Sequence, residues 1–486
     1  MNQIRYSVAA GLLALACSHG PSGSGEATAS SAQDLEISGS KNLTLMQDPN
    51  ISSVSNEQTR QDDTKFYYTA RGVNSGLGPN TPGGSVSTAL PNLNTFQRHF
   101  GMSTTGTPAA GEATAVYYNR GDLGIGREMH CIDQYDALNA IACYVTNFAA
   151  GDDGTEFTFG QNADVAFRNA DNHHSFATVA MVFQPTVTPH MVFLVYNAAG
   201  TALLNAATLD RVGLNYQNEF VKGQTVPAKF GTPGVDFNNH IPSNCITCHG
   251  GERYKTGTFE SGGQFLPFDL DNFDFDATHT RLGQESAFRA LNQIARKVAV
   301  LNIKLDSTPA DVNHSIRNQI DGWYNNPSHG DVLPSCTPGQ ACFNSNYIPP
   351  GWLPPLASST EAVDLYQKVI RPNCRNCHIA NNRHPILAFD DEGAFSFWFN
   401  GVHNTSLSPL DNMRAGGSAV AALVTGYQMP HALQSTRQFW LSPAPTVLEA
   451  YYAHFADTNA VNTLHGATGG NLVTMDPQLI NTVQLE

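Results

Sequence analysis

The hydrophobic pattern changes character along the chain. A short apolar run, Val8-Ala9-Ala10-Gly11-Leu12-Leu13-Ala14-Leu15-Ala16, follows the positive charge of Arg5 and is too short to span a bilayer. From 18 to about 61 large apolar residues become sparse and Ser, Gly, Asn, Gln and Asp predominate, which predicts a flexible spacer. Between 62 and 235, short apolar and aromatic runs are separated by Gly, Asn, Asp and Pro. They predict strands at 65–70, 115–119, 141–147, 175–183 and 191–196.

Beyond 236 the period becomes helical. Phe288, Leu291, Ile294, Ala295 and Val298 recur at three- and four-residue spacing, predicting an amphipathic helix over 284–301. Thr308, Pro309 and Asp311 open a second helix, with Val312, Ile316 and Ile320 as its stripe. Ser358 and Glu361 form a capping box for a third, running to about Ile370 and closed by Pro372. The expected fold class is α+β and multidomain: a β-rich domain at 62–235, a mainly helical region at 236–340 and a C-terminal unit at 341–486.

Composition narrows the functional classes. With 26 Lys plus Arg against 41 Asp plus Glu, the net charge is -15, and no basic stripe is present to neutralise phosphates. Nucleic acid is therefore not an expected partner, whereas a basic protein partner would be steered favourably. No Gly-x-Ser-x-Gly, His-Glu-x-x-His or phosphate-loop motif supports a hydrolase or nucleotide reading.

The nine cysteines sort by position. Ala14-Leu15-Ala16-Cys17 resembles the bacterial lipobox, in which the cysteine is lipidated after removal of residues 1–16; simple cleavage near the same small residues is the alternative. The resemblance implies export and a lipid anchor at Cys17, with 17–61 as tether. Ser18 is not an Asp-type retention signal, so it further implies the outer membrane, facing periplasm or cell surface. Cys131/Cys143 and Cys336/Cys342 are close pairs suited to short-loop disulfides in an oxidising compartment.

The last four cysteines lie in Cys245-Ile246-Thr247-Cys248-His249 and Cys374-Arg375-Asn376-Cys377-His378. Thiols three positions apart can reach the two vinyl groups of one haem, and the adjacent histidine can turn onto the iron. Two covalently bound c-type haems are expected, with His249 and His378 as proximal ligands. Zinc or a thioredoxin-like redox pair would each leave the immediate histidine unexplained twice.

Residues 358–456 resemble a class I cytochrome c domain. Ala362-Val363-Asp364-Leu365-Tyr366-Gln367 precedes the motif as that family's N-terminal helix does. Gly426-Tyr427-Gln428-Met429-Pro430 is similar to its methionine loop, and Phe439-Trp440 with 446–455 to its C-terminal helix. The resemblance implies Met429 as distal ligand of the second haem, which raises the potential and closes the sixth position. For the first haem no such loop follows, and Gly262-Gly263-Gln264-Phe265-Leu266-Pro267 lacks Met. Its sixth position is either open or filled from elsewhere, by Met129 or His130 first, then His240, His279, His173 or His174.

The stretch Phe268-Asp269-Leu270-Asp271-Asn272-Phe273-Asp274-Phe275-Asp276 resembles a calcium loop in composition without the EF-hand spacing, and is expected to be a solvated acidic turn. Together these features imply electron transfer with a redox partner protein. The alternative is a di-haem oxidoreductase of peroxidase or oxidase type working at the first haem.

Overall fold

A computed structural model describes residues 90–121, 124–148, 163–186, 190–204, 263–305, 314–357, 360–380 and 442–454, with scattered residues in 64–73, 241–250 and 389–395. The architecture is mixed α+β. Its centre is a six-stranded antiparallel sheet in the order β5-β4-β3-β2-β1-β6. The strands are β1 (Glu112–Asn119), β2 (Ile125–Gln134), β3 (Ala140–Phe148), β4 (Ser175–Phe183), β5 (Met191–Asn197) and the two-residue β6 (Phe273–Asp274). The first five form a meander, and β6 returns from 70 or more residues downstream to pair Tyr118 with Asp274 and Asn119 with Phe273.

Both faces of the sheet are covered, so β5 is buried along nearly its whole length and reads as a continuous apolar run. One face packs against α3 (Arg281–Leu305), whose Phe288 ring lies 5.5 Å from Tyr117 and 5.7 Å from Phe273. The opposite face carries α1 (Leu93–Phe100) and α2 (Ala163–Asp171). Phe96 of α1 meets Tyr144 and Tyr196 edge-on. In α2, Ala166 sits where a side chain on Gly126 would come within 3.0 Å, which explains a glycine in mid-strand. Asn92 caps α1 by accepting from the Thr95 amide, and Gly101 ends it in the left-handed conformation at φ 71°.

Helix α4 (His314–Trp323) packs on α3 through a buried ion pair, in which Arg296 donates to Asp321 at 2.6 and 3.1 Å. One apolar cluster takes in buried residues from Tyr67 to Ala380, on both sides of position 235. A second cluster joins Trp352, α5 (Glu361–Leu365), a π turn over Tyr366–Ile370 and α7 (Ala444–His454). Between α5 and α7 lies the short helix α6 (Arg375–His378). Among the described residues no helix is long and apolar enough to cross a membrane.

Three local expectations change. The segment 65–70 is helical where described, not extended. Its aromatic residues serve the sheet differently: the Tyr67 and Tyr68 hydroxyls accept from the Phe193 and Val195 amides at 3.0 and 3.1 Å, satisfying the open edge of β5. The third helix does not stop at Pro372. The π turn is followed by a helical turn, Arg371–Asn373, which places proline in its first positions, where no backbone donor is required. Ser358 and the 308–313 opening of α4 lie outside the described residues, as do the leader, Cys17 and the spacer. The acidic stretch is not a solvated turn either, because Asp269 is only 1% exposed and Asn272 2%.

Candidate functional site

The second Cys-x-x-Cys-His motif is built on α6, directly after the π turn. The Cys374 thiol is pushed up to about 12 by burial, so it stays protonated and apolar. His378 stacks on Phe389 with ring centres 4.1 Å apart. The first motif forms a helical turn at Cys245, Cys248 and His249, the residues described there. None of the four motif cysteines is in a disulfide. Cys131 is bonded to Cys143 across β2 and β3, and Cys336 to Cys342.

His249 is oriented by its own motif's downstream strand of chain: its Nδ1–H donates to the Gln264 carbonyl at 2.8 Å. A carbonyl only accepts, so the proton is on Nδ1 and the lone pair on Nε2. Burial, reinforced by the nearby Arg127 charge, lowers the imidazole to about 4 despite that hydrogen bond. The group is therefore a neutral nitrogen donor throughout the physiological range, the form a metal ligand needs. Phe193 of β5 braces the ring at 5.8 Å.

Residues of both motifs border one cavity, while Cys374 and His378 pack on the second apolar cluster, with Phe389. The cavity lies over the α3 side of the sheet, with His249 from the first motif and Asn376 and Cys377 from the second among its walls. The floor comes from alternate strand positions, Arg127 and Met129 of β2, Val145 of β3 and Met181 of β4, and the aromatic rings of Tyr117, Phe268 and Phe273 close one side. Among the described residues the apolar cleft offers the neutral His249 imidazole, a nitrogen suited to iron, the Cys377 thiol and the Arg127 guanidinium, a cation suited to a carboxylate substituent, while Cys245, Cys248, Cys374 and His378 are not among its walls.

The period of two in β2 separates the paired distal candidates. Met129 lines the cavity, but His130 is on the opposite face of the sheet. There its Nδ1 meets Glu112 at 2.7 Å and its Nε2 meets Glu128 at 3.2 Å, so both ring nitrogens are committed and none is left for iron. The expectation of His130 as a distal ligand is thus corrected. His279 is engaged by Asp276 and stacks on Phe167 of α2, again on the far face; His173 and His174 are exposed at the end of α2. His240 and Met429 lie outside the described residues.

The His130 cluster carries a pH signature. Burial alone lowers the imidazole, but the hydrogen bonds it donates to Glu112 and Glu128 outweigh that and hold His130 above its ordinary value of 6.5. Burial raises Glu112, yet His130 and two backbone amides bring it below its ordinary 4.5; His130 does the same to Glu128. A raised imidazole contributes stability below its unfolded value, lost as pH rises through the folded one; the depressed carboxylates contribute above theirs, lost as pH falls. Unfolding midpoints should therefore decline above about pH 6.5, the unperturbed imidazole value, and His130→Gln should flatten that decline. An unchanged alkaline limb in the variant would assign the loss to other groups.

Several residues here gave no sequence signal of their own. Gln264, Met181 and Arg127 are placed only by the tertiary fold. No protein-family model, curated protein or solved structure matches this chain.

Proposed function

We propose that this chain is an exported di-haem c-type cytochrome that carries electrons. One haem would be attached at Cys245 and Cys248 with His249 on its iron, the other at Cys374 and Cys377 with His378. The observation carrying this reading is that residues of both motifs line the same cavity. Haems attached at the two motifs would then be neighbours, as single-electron passage between them requires. When bound, each haem supplies a one-electron iron couple. The chain's own residues would do the rest: Gln264 holds the His249 tautomer that leaves Nε2 for iron, and Arg127 would face a haem carboxylate from the cavity floor.

The C-terminal unit, with α5, α6 and α7 around Trp352 and Tyr366, is proposed to be cytochrome c-like, with Met429 opposite His378. Lipidation at Cys17 would tether the body to the outer membrane through the 18–61 spacer. A net charge of -15 then favours a basic redox partner protein.

Redox titration with a small basic c-type cytochrome tests the reading. Rapid exchange of two electrons per chain, slowed by salt, is expected. Two redox-inert haems would refute it. A high-spin ferric haem converted by cyanide or peroxide would instead move the assignment to an oxidoreductase acting at His249.

A further inference from the structure

We infer that Phe389 is a positioning residue for the second motif: its ring fixes the plane of the His378 imidazole, and the Trp352 indole fixes Phe389 in turn. The inference rests on the reading of Cys374, Cys377 and His378 as a haem attachment site.

The backbone of Phe389 is strained. Its φ is 51°, in the left-handed region, where a bulky side chain crowds its own backbone. Such a conformation persists only where the surroundings over-determine it, and here they do so from several directions. The Trp352 indole N–H donates to the Phe389 carbonyl at 3.1 Å, and Trp352 is fully buried. At the neighbouring Gly351 a Cβ would come 2.2 Å from the Asp391 Cβ, so the turn at Pro350–Trp352 lies directly on the chain just past Phe389. Asp390 accepts from the Ser315 hydroxyl of α4 at 2.8 Å, and the Phe395 ring meets Phe389 edge-on at 5.3 Å.

This grip lays a flat ring on the motif histidine. The Phe389 and His378 rings are 15° from parallel, with centres 4.1 Å apart. Stacking uses the face of an imidazole and ligation uses a nitrogen in its plane, so one ring can do both. The backbone of α6 is held separately: Arg375, 4% exposed, donates through Nε to Asp269 at 2.9 Å and through Nη1 to the Tyr366 hydroxyl at 2.7 Å. With the helix fixed, the face of Phe389 restrains rotation of the His378 side chain about its own bonds. Cys374 packs against the same cluster, beside Trp352 and Phe389. The orientation of an axial imidazole sets how it overlaps the iron orbitals, so holding it tunes the couple that a bound haem supplies.

The test uses the full holoprotein and three variants. Phe389→Leu keeps an apolar side chain and removes the flat face, Phe389→Tyr keeps the face, and Trp352→Phe keeps an aromatic ring and removes the indole N–H. Haem content is read by intact mass. The plane of the histidine is read from the proton NMR shifts of the ferric haem's ring methyl groups, whose order follows the axial imidazole. The set belonging to the second motif is the one absent when Cys374 and Cys377 are changed to serine.

All three variants should keep two covalent haems. Phe389→Leu and Trp352→Phe should reorder the methyl shifts of the second haem alone, and Phe389→Tyr should retain the wild-type pattern. Should either of the first two fail to fold, the other carries the expectation. An unchanged pattern in a two-haem Phe389→Leu chain would overturn the inference while the haem reading stood. Equal reordering in Phe389→Tyr and Phe389→Leu would also overturn it, by assigning the effect to general repacking. A wild-type chain without haem at Cys374 and Cys377 would remove the haem reading itself, and this inference with it.

Discussion

Arg375→Met, made alone, should destabilise the fold by about 3–5 kcal/mol, the cost of leaving one buried partner of an ion pair uncompensated. The burden falls on Asp269, which is 1% exposed and keeps only the Asn272 amide and the Asp271 backbone as partners once the guanidinium is gone. Burial lowers the pKa of Arg375, but Asp269 outweighs it and holds the guanidinium above its ordinary value, so the charge is present in the folded protein. A loss of this size is a large fraction of the roughly 5–15 kcal/mol that separates folded from unfolded chains. Denaturant unfolding should show a lowered midpoint for Arg375→Met and most of it restored when Asp269→Asn is added. Equal instability of the single and double variants would show that the guanidinium matters through packing on Trp323 and Tyr366 rather than through charge.

The second large effect is expected at His249. His249→Ala should leave both thioether links of the first proposed haem in place and remove its iron's nitrogen donor. The walls around the vacated position are apolar, with Phe193, Phe265 and Leu266 nearby, and none of these can substitute as a ligand. Absorption and magnetic circular dichroism should then report one of two haems converted from its native spin state, with a changed potential, while the other is untouched. His378→Ala should do the same for the other haem. Loss of both signals from either single change would mean that the two sites are not separately ligated.

What the sequence disclosed and what it concealed follow from how local each signal is. The two Cys-x-x-Cys-His motifs were legible because they are local patterns, readable whatever the fold. Strands β4 and β5 were legible because they are short, β-branched and aromatic runs with turn residues at each end. Helix α3 was legible from its apolar stripe, although it extends several residues beyond 284–301 at either end.

β2 was not legible, since Arg127, Glu128 and His130 interrupt its apolar pattern. Arg127 borders the cavity and His130 is held by carboxylates on the far face, so tertiary partners compensate what the local pattern lacks. The stretch at 268–276 reads as a solvated turn for the same reason: the cation that neutralises Asp269 stands 106 residues away. That the two motifs border one cavity is likewise a property of the assembled sheet, with His249 braced by β5 and Asn376 seated beyond the end of β1. Of the two leading distal candidates, adjacent in sequence, the pleat alone decides that Met129 and not His130 lines the cavity.

The central claim is that two haems are covalently attached, one at each motif. Intact mass of the purified chain under denaturing conditions, together with its haemochrome spectrum, tests it directly. The account predicts two haem groups per chain, falling to one when either Cys245 and Cys248 or Cys374 and Cys377 are changed to serine. A wild-type chain that carries no covalent haem when expressed with a functioning c-type maturation apparatus would contradict it.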